Sequence, residues 1–251
     1  MAATTSGKDK ILRYARIFVG GYNLSGDALT FGSLDNRYEG VDCTGWNETV
    51  RNFLSDDRLQ VGVRGFQALM NDATGRAFTE LKDAPNTSQV SLLFGGGGEP
   101  APGDPAYLLP SVQIMDTASM DGGKGVINAD FLMDASQYTA NFTTPAAVVL
   151  ADETSISSTT SYTSADQAAQ TTNGWTANLH VTATSSGNFA LVIEDSADDS
   201  AWATLGTFTS TAGSVAGEFL SGTGTVDRYV RLTATRTAGT VTVIVTFARN
   251  P

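Results

Sequence analysis

The sequence predicts an all-β protein, and three observations carry that expectation. In the run 175–184, Trp175, Ala177, Leu179, Val181 and Ala183 alternate with Thr176, Asn178, His180, Thr182 and Thr184. Successive strand side chains point to opposite faces, so a period of two means one oily and one wet face. Turn chemistry recurs at short intervals, as in Ser185-Ser186-Gly187-Asn188, Ala197-Asp198-Asp199-Ser200 and Thr237-Ala238-Gly239-Thr240. The composition agrees: charged residues are only 16% of the chain, and Gly, Ser, Thr and Ala are abundant.

Residues 1–10 are small and polar, a terminal arm. Residues 11–18 mix Ile11, Leu12, Tyr14, Ile17 and Phe18 with Arg13 and Arg16, the pattern of a first strand with exposed arginines. A tight turn at 20–27 precedes a short strand near 30–38. One helix is expected at about 45–55, because Trp46, Val50, Phe53 and Leu54 fall at i, i+4, i+7 and i+8 behind a Thr44 N-cap. Residues 59–66 alternate and form a strand. Residues 71–83 read as a loop with a short helix, with Phe78 and Leu81 spaced by three. Residues 90–94 are a brief strand, and 95–105 form a Gly/Pro loop. Strands resume at 108–115 and 125–133, joined by a hairpin loop at 116–124.

Near residue 146 charge drops and Ser/Thr rises, which places a domain boundary there. Residues 153–174 read as an edge strand plus loop. The sequence 175–208 reads as a meander with turns at 185–188 and 197–200 and with Phe189, Leu191 and Ile193 as an inward row. Strands at 229–234 and 241–247, joined by a turn at 237–240, complete a sandwich of immunoglobulin-like or jelly-roll-like type.

The formal net charge is −11, with 11 basic and 17 acidic residues up to residue 150 and 4 and 9 after it. No basic stripe suits duplex binding, and no Lys follows Lys124. One cysteine, Cys43, leaves no intrachain disulfide framework. The sequence opens on no apolar stretch of signal-peptide length. Its longest apolar run, Ala146–Ala151, is far short of the roughly 20 residues that span a bilayer. A soluble protein made in the cytoplasm is expected, without a membrane partner.

The search for chemistry finds little. His180 is the only histidine, so any Ser-His or Cys-His device must use it, and its place in the alternation predicts a solvent-facing side chain. Gly95 to Gly98 and Gly122-Gly123-Lys124-Gly125 lack the spacing of phosphate-binding loops. Asp195, Asp198 and Asp199 lack a calcium-loop register. Trp46, Trp175 and Trp202 fall at inward positions, which argues against a carbohydrate-binding platform. No enzyme, metal or cofactor is expected.

Three stretches carry a resemblance. R-I-F-V-G-G-Y-N-L-S-G-D spans 16–27. V-D-C-T-G-W-N-E-T-V-R-N-F-L spans 41–54 and is followed by L-Q-V-G-V-R-G-F at 59–66. S-A-D-D-S-A-W-A-T-L-G-T-F at 196–208 and V-D-R-Y-V-R-L at 226–232 lie in the second domain. The chain resembles the tail-tube (major tail) proteins of long-tailed bacteriophages, with an added sandwich like those fused to many virion proteins. That resemblance implies an N-terminal arm at 1–16, a two-sheet tube core with a flanking helix at 11–145, and an outer decoration domain at 147–251. It implies hexameric rings that stack into a tube and close a continuous inner barrel. Its partners are then further copies of the chain, the tail terminator, tape-measure and baseplate proteins, and double-stranded DNA that traverses an acidic lumen without specific binding. The location implied is the virion tail. Candidate inter-subunit contacts are Lys8, Lys10, Ile11, Leu12, Arg13, Arg16, Glu99 and Asp104. A capsid decoration or head-tail protein is the alternative, and a carbohydrate-binding module a more distant one.

Overall fold

The computed structural model describes residues 14–42, 53–82, 84–85, 87–95, 98–121, 123–133, 146–209 and 214–250. The chain is all-β with one short helix among these residues. The strands in order are β1 (Ala15–Val19), β2 (Tyr22–Asn23), β3 (Ala28–Thr30), β4 (Ser33–Asp42) and β5 (Phe53–Leu69). Helix α1 (Ala77–Lys82) precedes β6 (Ser88–Phe94), β7 (Pro105–Asp121), β8 (Lys124–Leu132) and β9 (Ala146–Ala151). Three two-residue strands follow, β10 (Ser155–Ile156), β11 (Thr160–Ser161) and β12 (Ala165–Asp166). The set closes with β13 (Trp175–Ser196), β14 (Ala203–Phe208), β15 (Ala216–Gly222) and β16 (Tyr229–Arg249).

Two sheets build the first core. One runs β4–β5–β8–β7, with β3 beside β4 on the same edge of β5. The other runs β14–β13–β16–β9–β7–β6–β1–β2. Strand β7 belongs to both: it pairs β6 and β9 up to Val112 and β8 from Gln113 onward. Val63, Phe66 and Phe131 from the first sheet meet Ile17, Leu92 and Leu108 from the second, and Leu81 of α1 closes one side. A second core gathers Trp175, Leu179, Phe189, Leu191, Ile193, Leu232 and Phe247. Trp175 stacks on Phe247 with ring centroids 5.7 Å apart.

The turns expected at 185–188 and 237–240 are not chain reversals. Both lie inside long strands, and they face each other, Ser185 opposite Thr240 and Asn188 opposite Ala238. Register shifts flank Asn188, and Gly239 has φ +71°. Turn-type residues serve a bulge as well as a reversal, because both need a backbone kink and a left-handed glycine. The paired bulges bend one two-stranded ribbon so that both halves of β13 face one core.

The loop expected at 116–124 is likewise strand. Strands β7 and β8 stay in register to Asp121 opposite Lys124, and Gly123 between them has φ +81°. Of the helix expected at 45–55, residues 43–52 lie outside the described residues, and Phe53 and Leu54 open β5. The short helix expected within 71–83 is α1.

Candidate assembly surface

His180 is the clearest departure from the alternation rule. It is fully buried, as are Thr176, Asn178, Ser91 and Thr246. The wet face of β13 packs across β6 and the β1–β2 turn, so its polar side chains bond inside the protein. Asn178 Nδ2 donates to Leu109 O at 2.9 Å and Val90 O at 3.1 Å. The β6–β7 register slips between Ser88 and Val90, and the amide occupies carbonyls beside that slip. Gly21 N donates to His180 Nδ1 at 3.3 Å, and His180 Nε2 lies 2.9 Å from Ser91 Oγ, itself 2.9 Å from Thr246 Oγ1.

An imidazole that accepts at Nδ1 carries its proton on Nε2 and donates to the serine. In that tautomer the ring cannot take the Ser91 proton, and the pair has no solvent access. Burial holds the His180 pKa down at about 3, so the ring is neutral. The seam is a structural joint. Beside it, Phe18, Leu93, Ala106, Val149 and Ile244 form a small apolar cluster linking the two halves. The turn is also held by close approach: a Cβ on Gly21 would lie 2.7 Å from the Ala216 backbone.

Among the sequence candidates, Lys8, Lys10, Ile11, Leu12 and Arg13 lie outside the described residues. The structure brings Arg16 and Glu99 together as an ion pair within the chain, Arg16 on β1 and Glu99 on the Gly/Pro loop. Asp104 closes that loop, its carboxylate accepting from Ala101 N at 3.0 Å and its carbonyl from Val149 N at 2.9 Å. Arg16 and Glu99 also line a cleft of about 290 Å³ with Asp152 and Glu153. Burial raises the Glu153 pKa, against a hydrogen bond from Asn23 Nδ2 at 2.6 Å.

Asp198 caps its own turn, accepting from Ser200 N and Ala201 N at 3.0 Å each, which holds its pKa low. Among the described residues no three His, Cys, Asp or Glu side chains converge as a metal site. Trp202 is only half-buried rather than inward, and the Arg231 guanidinium covers its ring at 3.9 Å. Arg231 in turn donates to Glu194 at 2.8 Å.

The features sequence reasoning missed lie on the first sheet. Strand β4 pairs only with β5, and 114–121 of β7 pairs only with β8 among the described residues. Residues 116–120 are exposed on both faces of their strand. The exposed large hydrophobic residues Leu29, Leu34, Leu69, Met70 and Met120 all belong to this sheet or its margin, Met120 at 72%. Met70 lies over Gly125, the register partner of Met120 at the hairpin end. The signal for this edge was the Gly-Gly dipeptide at 122–123 in the sequence, a pairing typical of short hairpin connections between strands.

No protein-family model matches the chain, and no curated protein matches it. Among solved structures it is similar to the Dit protein of phage SPP1, described as a paradigm of the hub adsorption apparatus in phages that infect Gram-positive hosts. That match has 13% identity and a TM-score of 0.31 over 94% of this chain and 99% of the other. So loose a superposition defines neither a shared fold nor a shared role.

Proposed function

We propose that the chain is a structural, non-catalytic subunit of a bacteriophage tail, and that it forms rings which stack into the tail tube. The observation that carries this reading is a sheet whose outer strands, β4 and residues 114–121 of β7, have no further strand partner among the described residues. Its four strands β4, β5, β8 and β7 alternate in direction, each antiparallel to the next. The two outer strands therefore run in opposite directions. Copies placed side by side join β7 of one to β4 of the next as an antiparallel pair, and the sheet continues without a parallel junction. A head-to-tail contact of this kind closes into a ring when the rotation per copy permits. Closure satisfies backbone groups that are an aggregation hazard on a free monomer.

The net charge of −11 supports a conduit, because an acidic wall repels DNA phosphates. The resemblance of segments 16–27, 41–54 and 59–66 to tail-tube proteins supports the same reading, with the virion tail as its location.

Negative-stain electron microscopy of concentrated protein, paired with light-scattering mass, tests it. Hollow rings or stacked tubes are expected. Stable trimers that bind capsids would replace the reading with capsid decoration.

A further inference from the structure

The ring reading leaves open how neighbouring copies align, and the register of the two outer strands, unpaired on their outer sides among the described residues, constrains it. Within one chain, Leu34, Val63, Phe131 and Ile114 lie in a single row across the four strands. Residues directly opposite share a face, so Leu34 of one copy must meet a neighbour residue in the set 114, 116, 118, 120. Other alignments put side chains on the wrong face.

The in-line alignment, Leu34 opposite Ile114, and a shift of two, Leu34 opposite Asp116, leave half or more of residues 114–121 bare. A shift of four residues puts Leu34 opposite Ala118 and leaves Met120 opposite Gly32, beyond the start of β4. A shift of eight carries Leu34 past Asp121, the last residue of β7. A shift of six places Leu34 opposite Met120. It pairs eight rows, from Ser33 opposite Asp121 to Gly40 opposite Ile114. Leu34 is 44% exposed and Met120 72% exposed in the single chain, and this alignment brings the two together.

We infer that, in the ring proposed above, the edge 114–121 of β7 pairs with β4 of the next copy with Leu34 opposite Met120. The occupant of each free edge is thus a second copy of this chain. The inference rests on the ring reading and fixes its geometry. Four strands at about 4.8 Å give about 19 Å of width per copy, and six residues at about 3.4 Å give about 20 Å of stagger, so the strands tilt by roughly 45° from the ring axis. That tilt lies at the upper end of the range typical of closed barrels.

Disulfide trapping tests the alignment. On a Cys43→Ser background, Leu34→Cys with Met120→Cys places thiols on opposed residues, where Cα atoms lie about 4.5–5.5 Å apart and fit disulfide geometry. Leu34→Cys with Ala118→Cys places them two rows out of register. Both replaced partners of Leu34 are exposed, so the fold is not at risk. After assembly and mild oxidation, the first pair is expected to give a ladder of covalent oligomers on a non-reducing gel, at least tenfold stronger than the second. A ladder from the Ala118 pair alone overturns the register. Rings seen by microscopy with no ladder from either pair overturn edge pairing while the ring reading stands. Protein that stays monomeric and unlinked at high concentration contradicts both.

Discussion

The two halves of the chain treat their strand edges in opposite ways. In the second half the longest strands, β13 and β16, lie inside the sheet with partners on both sides. Its edges fall to β14 and β15, of 6 and 7 residues, and to strands of 2 residues. Short edges are how folded proteins discourage unwanted pairing. Its surface charges are matched locally, Arg228 with Asp166 and Arg231 with Glu194. In the first half a strand of 10 residues and the exposed end of one of 17 residues stand at the edges. The exposed large hydrophobic residues cluster there too. On the ring proposal, the first half is the one completed by a neighbouring copy, and the second half needs none. The seam around His180 joins the two halves and braces one against the other.

The largest expected effect comes from breaking that brace. Gly21→Ala drives a Cβ to within 2.7 Å of the Ala216 backbone at a residue with φ +99°. A loss of about 2–4 kcal/mol in unfolding free energy is expected from clash and strain. Gly98→Ala, with nothing within 4 Å of its Cβ, serves as the near-neutral control in the same denaturant titration.

Asn178→Ala comes next. It leaves the Val90 and Leu109 carbonyls buried without their side-chain donor, at about 1–3 kcal/mol. A change confined to the second half's own melting would argue that the seam does not couple the halves.

His180 sharpens the same point through pH. Its folded pKa is depressed to about 3, below the unfolded value of 6.5, so between these values the unfolded chain binds more protons. Stability that is present above pH 6.5 is therefore lost as pH falls toward 3, at about 1.4 kcal/mol per unit. Asp166, held down at about 2 by Arg228, adds acid sensitivity only below the ordinary carboxylate range. His180→Gln should lower stability at pH 7 yet flatten the slope between pH 6 and 4.5 in chemical-denaturation curves.

The smallest effect on stability belongs to Met120→Asp. The side chain is 72% exposed, so unfolding free energy should change by less than about 0.5 kcal/mol. Association measured by sedimentation should nonetheless weaken at least tenfold.

These contrasts show where the sequence was legible. The inward row of β13 was plain because Trp175, Leu179 and Val181 alternate cleanly. Its other row, Thr176, Asn178 and His180, reads as wet, since alternation cannot distinguish water from a hydrogen-bonded partner sheet. The kinks at 185–188 and 237–240 were visible but ambiguous, because a bulge and a reversal ask for the same residues. The β7 edge was hidden for the opposite reason. Its residues 116–120 are exposed on both faces, so no periodicity marks them as strand. Arg16, Glu99 and Asp104 drew notice as charged residues near loops, yet each has a role inside the chain. The edges that carry the ring proposal are defined by backbone, and backbone leaves little trace in residue type.

The most direct test of the division between halves is hydrogen–deuterium exchange of the assembled protein against its monomer. Protection should be gained at 33–40 and 114–121, with β14 and β15 unchanged. Protection gained instead along β14 and β15, with the first-half edges still exchanging freely, would contradict the account.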